Sequence, residues 1–353
     1  MSKLYKIAVL PGDGIGPDVI AETLKVLHAV KSRVAGLDFQ FDEFSVGAGE
    51  YLKSGDPLPA ATLEAIKQYD AILLGAMGLP DVRWPNGTEM APQLDIREKL
   101  DLYLGVRPIR LYSESDTPLK GYKAGDIDFV LIRESTEGLF FSRLNPFDPD
   151  APEVRDTLRI SRHASERLFR AAFKMAESRR GLVTLIDKAN VLPSMAYFRR
   201  IFNQVAEEFP KVRAEHVYVD AMNLYLVQRP ERFDVVVTEN MFGDILSDLA
   251  AGIVGGMGMA PSGDIGDKYA VFQPSHGSAP DIAGKGIANP VATILSAAMM
   301  LEWFNDPLAT EGAKLIRASV QNLFECSTDR SADLGGKLTT TECGDRIAGY
   351  IQQ

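Results

Sequence analysis

Short apolar runs alternate with helically spaced stretches along most of this chain, and that alternation constrains its fold more than any other feature. Residues 6–10 (KIAVL), 39–45, 71–74, 128–133, 182–186, 215–219 and 233–237 read as short, largely buried strands. Between them, residues 18–34, 61–69, 162–178 and a stretch from 194 onward read as helices. A strand followed by a helix leads back over the sheet, so the next strand is laid down parallel to the last. The fold class is therefore α/β, with a mostly parallel sheet.

The 353 residues suffice for one large domain or two of ordinary size. A hydrophobic content of 46% and a charged content of 24% belong to a soluble globular protein. The formal net charge of -10 argues against a general nucleic-acid or anionic-membrane surface. An anionic substrate must then be captured by a local cluster of Arg or Lys. No uninterrupted run of about 18 apolar residues occurs, so no membrane span is expected. The apolar run at the N-terminus is too short for a signal peptide, and the cytoplasm is the expected location. Cys326 and Cys343 are not in a C-x-x-C arrangement; free thiols in a reducing compartment are expected, with a disulfide left open.

Several places on this framework carry chemistry. The turn PGDGIGP at 11–17 follows the first strand, but its glycines do not match the G-x-G-x-x-G dinucleotide fingerprint. Arg97, Arg107 and Arg133 stand at the ends of consecutive elements, and guanidinium groups grip carboxylates bidentately, so together they read as a carboxylate clamp. Lys188, Asn190 and Asp220 lie at the C-terminal ends of strands, where α/β sites are usually built. The stretch 238–266 (TENMFGDILSDLAAGIVGGMGMAPSGDIG) opens as an amphipathic helix and ends in a glycine-rich turn. Asp244 and Asp248 are four residues apart there, so their like charges share one helix face and repel by a few tenths of a kcal/mol. A hard divalent cation such as Mg²⁺ or Mn²⁺ would relieve that repulsion, although the spacing alone is better explained by a solvated face. Residues 140–156 break the pattern, as a surface excursion or an arm. A Gly-, Pro- and Ser-rich loop at 272–290 containing His276 precedes an apolar helix from about 291 to 304, and a long loop in that place often binds a ligand. The C-terminal remainder reads as two helices joined by the polar segment 327–341.

Seven segments together resemble one family, the NAD(P)-dependent β-decarboxylating dehydrogenases, which include the isopropylmalate, isocitrate, homoisocitrate, tartrate and D-malate enzymes. The segments are LPGDGIGP (10–17), QLDIREKLDLYLGVRP (93–108), IRESTEGL (132–139), IDKANVL (186–192), VDAMNLYLV (219–227), NMFGDILSDLAAGIVGGMGMAPSGDIG (240–266) and HGSAPDIAGKGIANP (276–290), in the family's order and spacing. The resemblance implies an isopropylmalate-dehydrogenase-like two-domain fold rather than a Rossmann fold. Residues 1–102 with 255–353 would form a discontinuous cofactor-binding domain. Residues 103–254 would form a second domain with the metal site, the dimer interface and an arm at about 140–160.

The resemblance further implies a homodimer with shared active sites. Lys188 and Asp220 would reach across from the neighbouring subunit, Asp220 completing a metal site with Asp244 and Asp248. Arg97, Arg107 and Arg133 would hold the carboxylates of a malate-type hydroxy acid, with Asn190 and Val191 beside it. Lys188 would take the hydroxyl proton as hydride leaves C2 for the nicotinamide, and the oxidised acid would lose CO₂. His276, Gly277, Ser278, Ala279, Pro280, Asp281, Ile282 and Asn289 fall in the family's adenosine-binding loop. Asp281 stands where NAD-dependent members carry an acid. A carboxylate there accepts hydrogen bonds from ribose hydroxyls and repels a 2′-phosphate, so NAD is the expected cofactor, with Mg²⁺ or Mn²⁺.

The chain departs from the family at two places. Phe140 replaces the tyrosine that protonates the enol after decarboxylation, and phenylalanine has no proton to give. Met90, Gln93 and Leu94 occupy the substituent pocket that isopropylmalate enzymes line with leucines, and a buried unpaired amide costs about 1–3 kcal/mol. A malate with a small, polar or mixed substituent, such as D-malate or tartrate, is therefore the expected substrate, with 3-isopropylmalate as the alternative. A metal-dependent phosphoryl-transfer or hydrolytic enzyme would want a P-loop lysine motif that is absent. A catalytically silent NAD-binding paralogue, suggested by Phe140, fits poorly with Lys188, the arginines and the aspartates all being present.

Overall fold

A computed structural model describes residues 3–145, 148 and 150–353, without the side chain of Cys326. Pro146, Phe147 and Pro149 of the expected arm therefore lie outside the described residues, as does any pairing of Cys326. The chain begins with strand β1 (Lys3–Gly12), helix α1 (Gly16–Arg33), strand β2 (Leu37–Glu43), helices α2 (Ala48–Ser54) and α3 (Ala60–Ile66), strand β3 (Ala71–Ala76) and helix α4 (Pro92–Lys99). It continues through β4 (Leu104–Arg110), β5 (Asp128–Glu134), α5 (Arg162–Glu177), β6 (Leu182–Asp187), α6 (Pro193–Ala206), β7 (Arg213–Tyr218), α7 (Val219–Gln228), β8 (Val235–Thr238) and α8 (Asn240–Gly252). It closes with β9 (Pro261–Ile265), β10 (Ala270–Pro274), α9 (Val291–Trp303), α10 (Pro307–Cys326) and α11 (Thr340–Gln352).

Two compact units result: Met1–Leu100 with Gly255–Gly263 and Asp267–Gln353, and Asp101–Val254 with Asp264–Gly266. The strand order is β2-β1-β3-β10-β9 in the first and β9-β4-β5-β8-β6-β7 in the second, β9 being divided between them. β1 runs parallel to β2 and β3, β3 to β10, β5 to β8, and β6 to both β8 and β7. The antiparallel pair β4–β5 makes the sheet mixed. Every residue of β3, β6 and β8 is buried, as parallel strands covered on both faces should be. No helix among the described residues is long and apolar enough to cross a membrane. Cys343 is a free, buried thiol whose pKa burial pushes up to about 12.

Three expectations need correction. Residues 255–290 are not one long turn and loop, because they contain β9 and β10. Both strands are buried from end to end apart from Ile265, and that burial overrides the weak strand preference of Pro, Gly and Asp. Asp220 is not the end of a strand: β7 stops at Tyr218, and Asp220 lies in the first turn of α7, where a carboxylate suits the helix dipole. The short helix α2 carries no strong helical spacing and was not expected. The excursion after Phe140 closes on itself, since Gly138 and Arg159 exchange backbone hydrogen bonds at 3.0 and 3.2 Å.

Two close approaches of backbone to backbone or side chain hold the polar loops and α8 in place. In the first unit, Asp13 is buried, and its carboxylate accepts backbone N–H groups from Ala48, Gly49 and Gly78, each at 2.8 Å. That fixes the turn after β1, and a Cβ on Gly14 would lie 2.0 Å from the Ser278 carbonyl, so the turn and the 276–290 loop touch at the backbone. In the second unit, Glu239 caps α8 by accepting from the Phe242 N–H at 2.6 Å and the Met241 N–H at 3.1 Å. α8 then lies so close to β5 that a Cβ on Gly243 would stand 2.7 Å from Arg133 Cγ and 2.8 Å from its Cβ.

Two glycines of α8 should therefore respond with opposite sign. Gly243→Ala should destabilise the protein by about 1–3 kcal/mol through overpacking. Gly252→Ala, where a Cβ meets nothing within 4 Å, should stabilise it by about 0.5–1 kcal/mol. Urea denaturation of both variants decides; equal effects would mean that the helix does not press on Arg133.

Candidate active site

In the antiparallel pair β4–β5, Gly105 lies opposite Arg133. Arg107, two residues beyond Gly105, therefore projects from the same face of the sheet as Arg133. Both arginines are buried beneath α8. Arg133 donates to Asn240 Oδ1 from Nε at 2.9 Å and from Nη2 at 2.6 Å, and its Nη1 donates to Asp244 Oδ1. Arg107 donates from Nη1 to Ser247 Oγ, and its Nη2 stands 3.8 Å from Asp244 Oδ1. Ser247 Oγ in turn donates to the Asp244 carbonyl at 2.8 Å. Asn240, Asp244, Ser247 and Asp248 follow the i, i+4, i+7, i+8 spacing of one helix face.

Two guanidinium groups thus meet at one carboxylate, which is the arrangement a bound carboxylate would use. Asp248 carries a raised pKa, chiefly because it is partly desolvated; Arg107 pulls it down and the Asp244 charge pushes it up. Asp244 and Asp248 offer the hard oxygen donors that Mg²⁺ or Mn²⁺ prefers, and they fit such an ion as two of its ligands. Among the described residues no three His, Cys, Asp or Glu side chains gather as a metal site, so Asp220 does not join them within one chain.

Asp220 instead faces Lys188. At the end of β6, fully buried Asp187 accepts Arg199 twice, at 2.7 and 2.6 Å, and the Ala189 N–H at 2.9 Å. The next side chain, Lys188, donates from Nζ to Asp220 Oδ1 at 2.8 Å, and this bond is the main cause of the lowered Asp220 pKa. Asn190 and Val191 are exposed in the turn after it.

Phe140 lies in a turn of 3-10 helix, with the Arg133 guanidinium 5.2 Å from its ring centre. It therefore meets the clamp through its π face, where a tyrosine would also have offered a hydroxyl. The loop that leads to it is tied down by Glu134. The Glu134 carboxylate accepts the Thr136 N–H at 2.9 Å, the Thr136 hydroxyl at 2.6 Å and the Glu137 N–H at 2.6 Å. Burial pushes the Glu134 pKa up to about 7, those donors pull it down, and the neighbouring Glu137 charge adds to the rise.

The first unit carries the remaining candidates. Arg97 is buried on α4, and Gln93 lies one turn before it on the same face. Met90 is fully buried and Leu94 partly so, while Gln93 Oε1 is buried without a hydrogen-bond partner. In the 276–290 loop, His276 Nδ1 lies 2.9 Å from the Gly277 carbonyl, and its Nε2 is buried without a partner. Burial also lowers the His276 pKa, so the ring is neutral near pH 7. Gly277, Pro280 and Asp281 are exposed, Ser278 is buried, and Ala279 holds a left-handed φ of 37°. Ala279 and Ile282 pack on Ile15, Val19 and Ala288. Asn289 is committed internally: its Oδ1 accepts the Val291 N–H at 3.1 Å and its amide donates to Asp333 Oδ2 at 3.1 Å. The orphan imidazole nitrogen and the exposed Asp281 carboxylate fit a dinucleotide laid along this loop.

Asn240, Ser247 and Glu134 were not singled out from the sequence. The first two share the helical spacing of Asp244 and Asp248, so a helical-wheel reading contains the signal. Nothing local marks Glu134, because its role comes from burial.

The sequence profile of isocitrate/isopropylmalate dehydrogenases matches residues 6–347. A 3-isopropylmalate dehydrogenase from Aquifex aeolicus is 46% identical over 364 aligned positions, covering 99% of this chain and 98% of that protein. A 3-isopropylmalate/3-methylmalate dehydrogenase from Methanocaldococcus jannaschii is 41% identical, covering 99% of this chain and all of that protein (100%). Among solved structures, isocitrate dehydrogenase from Methylococcus capsulatus superposes with a TM-score of 0.89 at 36% identity, covering 99% of this chain and 100% of that one. A β-decarboxylating dehydrogenase from Thermococcus kodakarensis gives a TM-score of 0.80 at 37% identity, covering 99% and 96%. With two buried arginines on one aspartate, a second aspartate one turn away and a profile match along nearly its whole length, this chain belongs to the isocitrate/isopropylmalate dehydrogenase family of decarboxylating dehydrogenases.

Proposed function

We propose that the protein oxidises and decarboxylates a 3-alkylmalate, 3-isopropylmalate first among them, with NAD and Mg²⁺ or Mn²⁺. The observation that carries this reading is the meeting of buried Arg107 and Arg133 at Asp244, one turn from Asp248. A malate carboxylate offers these guanidinium groups the same oxygens that Asp244 offers now. The relatives' names favour 3-isopropylmalate over the D-malate or tartrate expected from the pocket residues. One observation still speaks for a polar substituent: Gln93 Oε1, buried without a donor, would welcome a hydroxyl.

In this reading Arg97, Arg107 and Arg133 orient the substrate, and Asn190 and Val191 border it. Asp220, Asp244 and Asp248 would hold a divalent cation, which would supply Lewis acidity to the bound hydroxy acid. Lys188 is held by Asp220, and once its ammonium has released a proton to solvent its free amine would take the hydroxyl proton. Residues 276–289 would hold the adenosine half of an NAD, which would supply the hydride acceptor. Phe140 cannot return a proton to the enol, so water or another acid does. Cys343, a free thiol, suits the cytoplasmic setting expected from the sequence.

The site needs two chains. Asp220 and Lys188 face each other rather than Asp244 and Asp248, while Leu224 and Val227 of α7, Ile245 of α8 and Val191 leave apolar side chains exposed beside them. We infer that these helices pack on a second copy, with Phe141, Leu144 and Val154 of the arm exposed for the same purpose.

NADH absorbance with Mn²⁺ and NAD over 3-isopropylmalate, 3-methylmalate, D-malate, tartrate and isocitrate tests the substrate. The highest kcat/KM should fall on 3-isopropylmalate, and Gln93→Leu should raise it about tenfold by removing the unpaired amide. Faster turnover of tartrate or D-malate, with a loss on Gln93→Leu, would reinstate the polar substituent. Asp281→Lys should shift the NAD-to-NADP preference toward NADP by about tenfold or more; an unchanged ratio would place the ribose elsewhere. Asp220→Asn and Asp244→Asn should each be inactive alone. Unfolded together and refolded as a mixture, they should recover about a quarter of wild-type activity, because half of the dimers regain one intact site. No recovery would mean that each chain builds its own site.

A further inference from the structure

The first unit holds a recess of about 410 Å³ where strands β1, β3 and β10 begin. Those strands are parallel, so their first residues share one edge of the sheet. Residues 13–17 of the turn and the 276–290 loop follow the last residues of β1 and β10, at the opposite end of those strands. The recess is therefore separate from the loop assigned to the cofactor.

Its lining combines ammonium groups with aromatic rings, on a chain of net charge -10. Lys3, Lys67 and Lys268 supply the cations. Lys3 lies 3.3 Å from Asp306 and Lys67 lies 2.5 Å from Glu64. Lys268 pairs with no carboxylate among the described residues and rests 4.9 Å from the centre of the Tyr269 ring. Asp70 is the single acid in the lining, and its Oδ2 already accepts the Lys6 N–H at 2.8 Å.

Partly exposed Tyr69, Tyr269, Trp303 and Phe304 form the walls. Tyr5 forms the floor, only 5% exposed and stacked on Phe304 with ring centroids 3.9 Å apart. Its hydroxyl is buried and has no hydrogen-bond partner. The Lys3 ammonium stands 5.0 Å from the centre of the Tyr5 ring, and its attraction to the Tyr5 hydroxyl is the first cause of its raised pKa. A buried hydroxyl left unmatched destabilises the fold, so an acceptor that reached it through the floor of the recess would be stabilised. A volume of this size suits a small organic molecule, and flat aromatic walls suit a flat ring.

We propose that this recess binds a small aromatic anion, a planar ring bearing a carboxylate or a phosphate, with the ring against Trp303 and Tyr269 and the anionic group among Lys3, Lys67 and Lys268. The site stands on these side chains alone and does not depend on which malate the enzyme oxidises.

Trp303 is one of two tryptophans, so its fluorescence in a Trp84→Phe background reads the recess directly. That protein would be titrated with AMP and separately with 4-hydroxybenzoate, each with and without saturating NAD. Saturable quenching by at least one probe is expected, weakened about tenfold by Lys67→Gln with Lys268→Gln and several-fold by Tyr5→Phe. Saturation by AMP alone would assign a phosphate-bearing ligand, and by 4-hydroxybenzoate alone an aryl carboxylate; either supports the site. Absence of saturation up to about 10 mM with both probes would overturn it. Quenching indifferent to the lysine substitutions, or abolished by NAD, would overturn it as well.

Discussion

The burial of Arg133 under α8 is the constraint on which the rest of the site depends. A guanidinium group at that depth must have its N–H groups matched, since a buried charge without partners costs several kcal/mol. Gly243 lets the helix come close enough for Asn240 and Asp244 to do so. Arg107, two residues along the partner strand, arrives at the same carboxylate because the antiparallel register puts it on the same face. Recognition of a carboxylate is thus already built into the packing of one helix on one strand pair.

In each unit, buried carboxylates hold loops that carry candidate site residues. Asp187 accepts Arg199 and the turn N–H, and so orients the residue after it, Lys188. Glu134 gathers the N–H groups of the loop that brings Phe140 onto Arg133, and Asp13 does the same for the turn that meets the 276–290 loop. Each is an acceptor placed against backbone donors that have no strand or helix partner, which is why loops of this kind can be both irregular and well defined.

Substrate choice rests on a finer balance. Relatives at 41–46% identity act, by name, on alkylmalates, whereas Gln93 places an amide oxygen in an apolar setting without a donor. In the proposed reading the clamp and carboxylates would read only the malate core and so be insensitive to that difference. In the proposed reading, Gln93 and Leu94 of α4 and Met90 before it would be the residues that discriminate among substituents.

Much of this protein was legible in its residues. The alternating runs identified the α/β class and the parallel strands, and the motifs identified the family; the structure brings together Arg107, Arg133, Asp244 and Asp248, which those motifs contain. Those signals survive in one dimension because hydrophobic period and catalytic identity are local properties of the chain. The strands β9 and β10 were hidden, since Pro, Gly and Asp read as loop until burial in the sheet overrides their preference. Asn240 and Ser247 went unremarked because a polar helical residue has no evident task until a buried arginine lies opposite. Only the tertiary structure decided that Asp220 pairs with Lys188 rather than with the other two aspartates, that Phe140 faces Arg133, and that Lys3, Lys67 and Lys268 line one recess with Tyr5. Such pairings depend on distance between residues far apart in the chain, and distance is settled by packing.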